Sequence, residues 1–137
     1  MKLPWNTLAI LALVLFALFL AGRAGRHPVN SSEIRVVNLD PGDSSYFTLL
    51  KGEPETQSLR SGLVTLAPGK AVGVYNTGSN EEMLVPLEGQ GEVRLADHAP
   101  VVLKPGVVTY APAHTEHDVV NTGTARFRYI VITAKAA

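Results

Sequence analysis

Short runs of β-forming residues, each ended by glycine or proline, are the feature that most limits the folds open to this chain. Twelve glycines and nine prolines are spread over 137 residues, and the runs between them are rich in valine, leucine, threonine and tyrosine. After residue 26 no stretch has the apolar spacing of a convincing helix. The pattern predicts one all-β domain of about ten short strands over about 105 residues, built as a sandwich or a jelly-roll barrel.

Alternation and turn residues place these strands along the chain. The predicted strands are residues 33–39, 46–50, 59–66, 71–76, 83–87, 92–95, 101–103, 107–111, 117–121 and 126–133. Charged or polar loops are predicted at residues 51–57 and 77–81.

The N-terminal segment has a different character. Residues 8–21 are apolar without interruption, and residues 3–22 carry no charge. A helix on the surface of a small domain would show polar positions at helical spacing, and this segment shows none. We therefore expect residues 1–26 to serve a membrane or a translocon, residues 27–32 to form a linker, and residues 33–137 to form the domain.

Two interpretations of this segment remain open. Lys2, the apolar core and the small residues Gly22 and Ala24 resemble a signal peptide cleaved after Ala24. Arg23 lies inside that cleavage site, which favours the alternative, an uncleaved signal anchor with Trp5 at the membrane interface. In either case we expect the domain to lie outside the cytoplasm, exported or anchored to the membrane.

The charge of the domain limits its partners. Three of the twelve basic residues flank the apolar segment, whereas all twelve acidic residues follow residue 32. The remaining nine basic residues leave the domain with a net charge of −3. A nucleic-acid partner would need a basic face, so we expect none. The chain has no cysteine, which excludes disulfides and thiol chemistry.

A first spacing pattern begins in the middle of the chain. Gly69 is followed by five residues, then by Tyr75, one residue and Thr77, then by four residues and Glu82, and finally by six residues and Gly89.

A second pattern begins at Gly106, and sixteen residues separate Gly89 from Gly106. Five residues separate Gly106 from Pro112, and one residue separates Pro112 from His114. His117 and Asn121 complete the pattern. The two spacings resemble the two motifs of the cupin superfamily, G(X)5HXH(X)3-4E(X)6G and G(X)5PXG(X)2H(X)3N. The resemblance covers residues 59 to about 132 and implies a cupin jelly-roll β-barrel, the double-stranded β-helix, behind the hydrophobic segment.

The resemblance also implies a metal site, made in the family by the two first-motif histidines, the glutamate and the second-motif histidine. Here Glu82 and His117 stand at family positions, but Tyr75 and Thr77 replace the histidine pair with neutral oxygens. A transition metal usually takes three or four protein ligands. We therefore expect no retained cofactor. The alternative, a site for Zn, Fe, Mn or Ni, would need His114 to swing inward as a third ligand.

His114 has a competing interpretation. It stands where the family has glycine, a position that often needs a positive φ, and histidine tolerates that region better than most residues. A turn residue is favoured over a ligand.

Glu82 and His117 also have a simple interpretation, as a hydrogen-bonded pair inside the barrel. His117 alternates with Val119 and Asn121, which predicts that these three point inward while the acidic residues beside His117 face water. Asn121 is expected to satisfy backbone groups at the end of the strand.

Three functions from different classes follow. The first is a barrel that binds a small polar ligand, with sugars and organic acids as the classes that the resemblance implies. Its pocket would be lined by Tyr75, Thr77, Glu82, His117 and either Met83 or Leu84. The second is an enzyme: a dioxygenase, isomerase or decarboxylase with a metal, or an epimerase-like enzyme in which His117 and Glu82 act as acid and base and Tyr75 assists. The third is a structural or accessory module.

The last predicted strand suggests a homodimer. Phe127, Tyr129 and Val131 share one face, yet Ile130 and Ile132 make the opposite face apolar as well. Apolar residues on both faces indicate that each is covered. A membrane would be a further partner, through residues 3–22, if the segment is not cleaved.

Overall fold

A computed structural model describes residues 34–137, and in this part of the chain it contains strands and no helix. The strands are β1 (Tyr46–Lys51), β2 (Arg60–Leu66), β3 (Tyr75–Asn76), β4 (Asn80–Glu88), β5 (Gly91–Arg94), β6 (Val101–Leu103), β7 (Thr109–Ala111), β8 (Glu116–Asn121) and β9 (Phe127–Lys135). The predicted all-β architecture is confirmed. The predicted export or anchor segment at residues 1–26 and the predicted linker at residues 27–32 lie outside the described residues. Between residues 34 and 137 no helix is suited to crossing a membrane.

The strands form two antiparallel sheets whose inner faces enclose the core. The larger sheet has the order β1-β2-β9-β4-β7, and the smaller has the order β3-β8-β5-β6. Strand β9 therefore lies between β2 and β4, and it pairs with both along most of its length. Alternation along β8 buries His117, Val119 and Asn121 and leaves Glu116 exposed, as the sequence predicts.

Inward-facing side chains from both sheets build the core. Phe127 and Tyr129 of β9 stack with ring centroids 5.2 Å apart. A Cβ on Gly91 would lie 2.6 Å from the ring of Phe127, so β5 can pass this ring only with glycine there. Burial of aromatic side chains of this kind contributes about 2–3 kcal/mol each. The other core residues are Val64, Leu66, Leu84, Val93, Leu103 and Val119.

The strand predicted at residues 33–39 is wrong, because residues 34–39 pair with no strand. Ile34 and Val36, whose alternation suggested a strand, are 97% and 90% exposed. This stretch instead contacts the domain through polar groups: Arg35 pairs with Glu55, and the Leu39 carbonyl accepts a hydrogen bond from Arg128.

The strand predicted at residues 71–76 is also shorter than expected. Only Tyr75 and Asn76 form β3, and Ala71 makes a single bridge to Val120. Gly73 lies between them with φ +97°, a conformation that interrupts an extended strand. The loop predicted at residues 77–81 shortens in turn, because β4 begins at Asn80.

The outer face of the large sheet carries an apolar patch, which consists of Met83, Val85, Ile130 and Ile132. Cross-strand pairing brings Met83 beside Ile132 and Val85 beside Ile130. All four are partly exposed. The two isoleucines therefore lie on the face of β9 opposite the core, where the sequence predicts them.

Candidate functional site

Glu82 and His117 meet between the two sheets. Glu82 lies on β4 of the large sheet and His117 on β8 of the small one, and they are 5% and 1% exposed. The Nε2–H of His117 donates to Oε1 of Glu82 over 3.0 Å. Both side chains point inward and form the hydrogen-bonded pair that the sequence predicts. Such a pair satisfies groups that would otherwise be costly to bury.

Tyr75 joins this pair from β3. It is the direct cross-strand partner of His117, and the two rings lie 4.4 Å apart at an angle of 54°. Its hydroxyl donates to Oε1 of Glu82 over 2.6 Å, so one carboxylate oxygen accepts from both neighbours. No residue between 34 and 137 hydrogen-bonds to the other oxygen, Oε2. We call Tyr75, Glu82 and His117 the triad.

The triad shifts the pKa of two of its members. Burial and the hydrogen bond to Glu82 raise the pKa of Tyr75 far above its ordinary value, so its hydroxyl stays protonated and acts as a donor. Burial lowers the pKa of His117, but the hydrogen bond and charge of Glu82 outweigh it, and the pKa is raised overall. Nδ1 of His117 lies 3.4 Å from the carbonyl oxygen of Thr115, which can accept a hydrogen bond when Nδ1 carries a proton.

Thr77 does not belong to this site, contrary to the prediction that it lines the pocket. Its hydroxyl donates to the carbonyl of Pro112 and accepts from the amide of Thr115, each over 2.9 Å. These bonds turn the side chain toward the segment before β8, and Thr77 lines neither cavity described below. It ties this segment to the end of β3.

His114 lies outside the triad. It has φ +60° and is exposed in the turn before β8, and its amide donates to the carbonyl of Gly78 over 2.7 Å. The turn interpretation is confirmed. The alternative in which His114 joins Glu82 and His117 as a ligand is wrong, because an exposed turn residue does not reach a buried pair.

The donor set does not fit a divalent metal. The Thr77 hydroxyl is engaged twice, Tyr75 keeps its proton, and His117 uses Nε2 to hold Glu82. Among residues 34–137 no three His, Asp or Glu side chains come together in a way that could hold a metal ion. The part of the chain that the structure describes does not bring together the three or four donors that such a site needs.

A large open cavity of about 890 Å³ lies beside the triad. Tyr75 and Glu82 form part of its polar wall, and Val64, Tyr129 and Val131 form part of its apolar wall. Met83, one of the two alternatives for the pocket, is instead on the outer face and lines neither cavity.

A second cavity of about 240 Å³ lies on the other side of His117. Leu84, the other predicted alternative, lines it together with Val93, Leu95 and Val101. The buried hydroxyl of Thr109, also in its wall, has no hydrogen-bond partner among the described residues. Of the residues predicted to share one pocket, Tyr75 and Glu82 thus line the large cavity, whereas His117 and Leu84 line the second.

Sequence reasoning missed the wall of the large cavity that β2 and β9 supply. Arg60 and Ser61 of β2 and Thr133 of β9 line it, and none of them belongs to the two motifs. The alternation of Tyr129 and Val131 was a usable signal, because Thr133 continues the same face of the strand.

Comparison with known proteins shows which family has this architecture. The family model described as Cupin domain matches residues 62–133. No curated protein matched the chain.

Solved structures agree in fold. A protein from Bacillus halodurans is 20% identical, with a TM-score of 0.66 over 79% of this chain and 86% of that one. An RmlC-like cupin family protein with a double-stranded β-helix fold from Methanocaldococcus jannaschii is 16% identical, with a TM-score of 0.63 over 77% and 92% of the two chains. The Cnp3 cupin domain of Schizosaccharomyces pombe is 23% identical, with a TM-score of 0.59 over 66% of this chain, which spans only 60% of that structure. At these identities the likeness shows the fold.

Proposed function

The chain belongs to the cupin family, and from that premise we propose that its barrel binds a small polar ligand, such as a sugar or an organic acid, against the Tyr75–Glu82–His117 triad. The ligand would occupy the large cavity, where Tyr75 and Glu82 are among the polar residues of the wall. His117 would hold Glu82 from behind.

One observation carries this proposal. Both protein donors of the triad converge on Oε1 of Glu82, and Oε2 has no partner within residues 34–137. A carboxylate lining a cavity with one oxygen anchored and one oxygen free is a fixed acceptor for a hydroxyl or an amine. Because the carboxylate is already ordered by these hydrogen bonds, ligand binding carries a smaller entropic cost.

The triad also favours an acid–base enzyme as the second candidate. Glu82 touches His117, whose pKa is raised, so a proton can be held on Nε2 beside a carboxylate that faces the cavity. That arrangement suits proton abstraction from a bound molecule by Glu82 with His117 as the supporting acid. Tyr75 would serve only as a hydrogen-bond donor, because its pKa lies too high for it to act as a base.

The chain offers a matched control for the test. Glu81 is the neighbour of Glu82 on β4 but is exposed, and it accepts from Tyr110 as Glu82 accepts from Tyr75. Melting temperatures of the full chain and of the Glu82→Gln and Glu81→Gln variants should be compared in a panel of sugars and sugar acids. We expect one or more compounds to raise the melting temperature of the parent and of Glu81→Gln, but not that of Glu82→Gln. Binding that is unchanged in Glu82→Gln, or absent from the parent at millimolar concentration, would refute the proposal.

We further propose that residues 1–26 carry this domain to the membrane or across it. The uninterrupted apolar run at residues 8–21 supports this placement. Fractionation of cells that express the full chain should find it in the membrane or outside the cytoplasm. Recovery in the cytoplasmic fraction alone would contradict the proposal.

A further inference from the structure

One cross-strand row crosses the large cavity. Arg60 on β2 pairs with Thr133 on β9, and Thr133 pairs in turn with Glu82 on β4. Directly paired residues project from the same face of a sheet. All three line the large cavity, so its inner wall carries a cation, a hydroxyl and the triad carboxylate in that order.

The spacing of this row suits one small molecule. Neighbouring strands lie about 4.8 Å apart, so the backbones at Arg60 and Glu82 are about 10 Å apart, with Thr133 midway between them. Arg60 and Glu82 form no ion pair with each other. Because both side chains line the same cavity, they can contact opposite ends of one ligand.

The Arg60 side chain packs against a glycine, Gly52. A Cβ built on Gly52 would lie 2.9 Å from both Cγ and Nε of Arg60, closer than real atoms approach. Gly52 also has φ +86°, a conformation that favours glycine. The arginine stem thus lies against the bare backbone of Gly52, the residue that follows β1.

The charge around the cavity leaves Arg60 available. Three basic residues, Arg60, Lys70 and Arg126, line the cavity, but Arg126 donates to Glu88 over 2.9 Å. Within residues 34–137 neither Arg60 nor Lys70 makes an ion pair. The acidic residues that line the cavity are Asp43 and Glu82.

We propose that the ligand is a small hydroxy acid, whose carboxylate binds Arg60 while its hydroxyl groups meet Thr133 and the free oxygen of Glu82. The guanidinium matches a carboxylate in a two-pronged geometry. A neutral polyol of the same length leaves Arg60 without an anionic partner and binds more weakly. This inference rests on the proposed function, since it assigns a ligand class to the same cavity.

The test uses two probes that differ only at one end. D-gluconate and sorbitol have the same hydroxylated six-carbon chain, but only gluconate carries a carboxylate. Binding of each to the full chain should be measured by calorimetry at equal ionic strength. The variants are Arg60→Gln and a control, Arg94→Gln, which changes an exposed arginine on β5 that pairs with Glu92 and does not line the cavity.

We expect the parent and Arg94→Gln to bind gluconate more tightly than sorbitol. Arg60→Gln should lose about tenfold to a hundredfold in gluconate affinity, the usual contribution of a hydrogen bond to a charged group, and little in sorbitol affinity. Equal affinity for both probes, or an unchanged preference in Arg60→Gln, would overturn the ligand class. If sorbitol still binds and depends on Glu82, the ligand class fails and the proposed function stands. If neither probe binds, the hydroxy-acid class is overturned, and the panel of sugars and sugar acids decides the proposed function separately.

Discussion

The shared oxygen of the triad makes a stability prediction that one hydroxyl can test. The Tyr75→Phe substitution removes the donor that lies 2.6 Å from Oε1 of Glu82 but keeps the ring beside His117. A hydrogen bond to a charged acceptor contributes about 1.5–3 kcal/mol when it is shielded from water. Glu82 is buried, so we expect the free energy of unfolding to fall by about 2 kcal/mol.

The matched control is Tyr110→Phe on the outer face. Tyr110 also donates to a glutamate, Glu81, over 3.1 Å, but both side chains are exposed to water. Loss of an exposed hydrogen bond of this kind changes stability by about 0.5 kcal/mol or less. The two substitutions remove the same atom from the same residue type, so their difference isolates the effect of burial.

Urea unfolding followed by circular dichroism measures the free energy of unfolding of both variants. With a slope of about 2 kcal/mol per M, the midpoint of Tyr75→Phe should fall by about 1 M, and that of Tyr110→Phe should hardly move. A double-mutant cycle with Glu82→Gln should show coupling to Tyr75. Equal losses in the two phenylalanine variants would refute the argument that the triad is a shielded, cooperative unit.

Four further predictions follow from other contacts. Because the pKa of His117 is raised, its stabilising contribution is complete below about pH 6.5 and is lost as the pH rises through the folded-state pKa. The difference in free energy of unfolding between the parent and His117→Gln should therefore shrink from about pH 6 to pH 9. A constant difference would contradict the pKa shift. Asn121→Ala removes donors to the carbonyls of Leu66 and Ala125 and should cost about 2–4 kcal/mol in thermal or urea unfolding. Elemental analysis of the untagged chain should find less than stoichiometric zinc, iron or manganese, and replacing Tyr75 and Thr77 together with histidine should create metal affinity; about one metal per parent chain would contradict the donor argument. The outer apolar patch should pair with that of a second copy, so light scattering should show a dimer that a charged substitution at its centre dissociates.

Much of the site could be predicted because it depends on local spacing. The family spacing placed Glu82 and His117 at matching positions, and alternation on β8 predicted that His117 points inward, where it is 1% exposed. The positive φ of His114 was likewise expected, because His114 stands where the family has glycine. Each of these inferences uses the spacing or alternation of residues within one motif.

The errors arise where the outcome depends on which strands become neighbours. Thr77 was placed in the pocket by its motif position, but its hydroxyl is taken by Pro112 and Thr115 across a strand end. Alternation at Ile34 and Val36 predicted a strand that finds no sheet edge. Arg60 and Thr133 escaped notice because only the register of β2 on β9 brings them onto the wall that holds Glu82.

The position of β9 also sets the order in which the barrel can be assembled. β2 and β4 precede β9 in the chain by many residues, yet in the finished sheet each has β9 as a neighbour and neither pairs with the other. In a nascent chain that has emerged only as far as Arg126, one edge of β2 and one edge of β4 therefore still lack their partner strand. Such long-range pairing is slow and is completed late in synthesis. A domain whose large sheet is complete only when its last strand pairs stays unfolded while most of it is being synthesised. A chain must be unfolded in this way to be translocated through a membrane as an extended polypeptide.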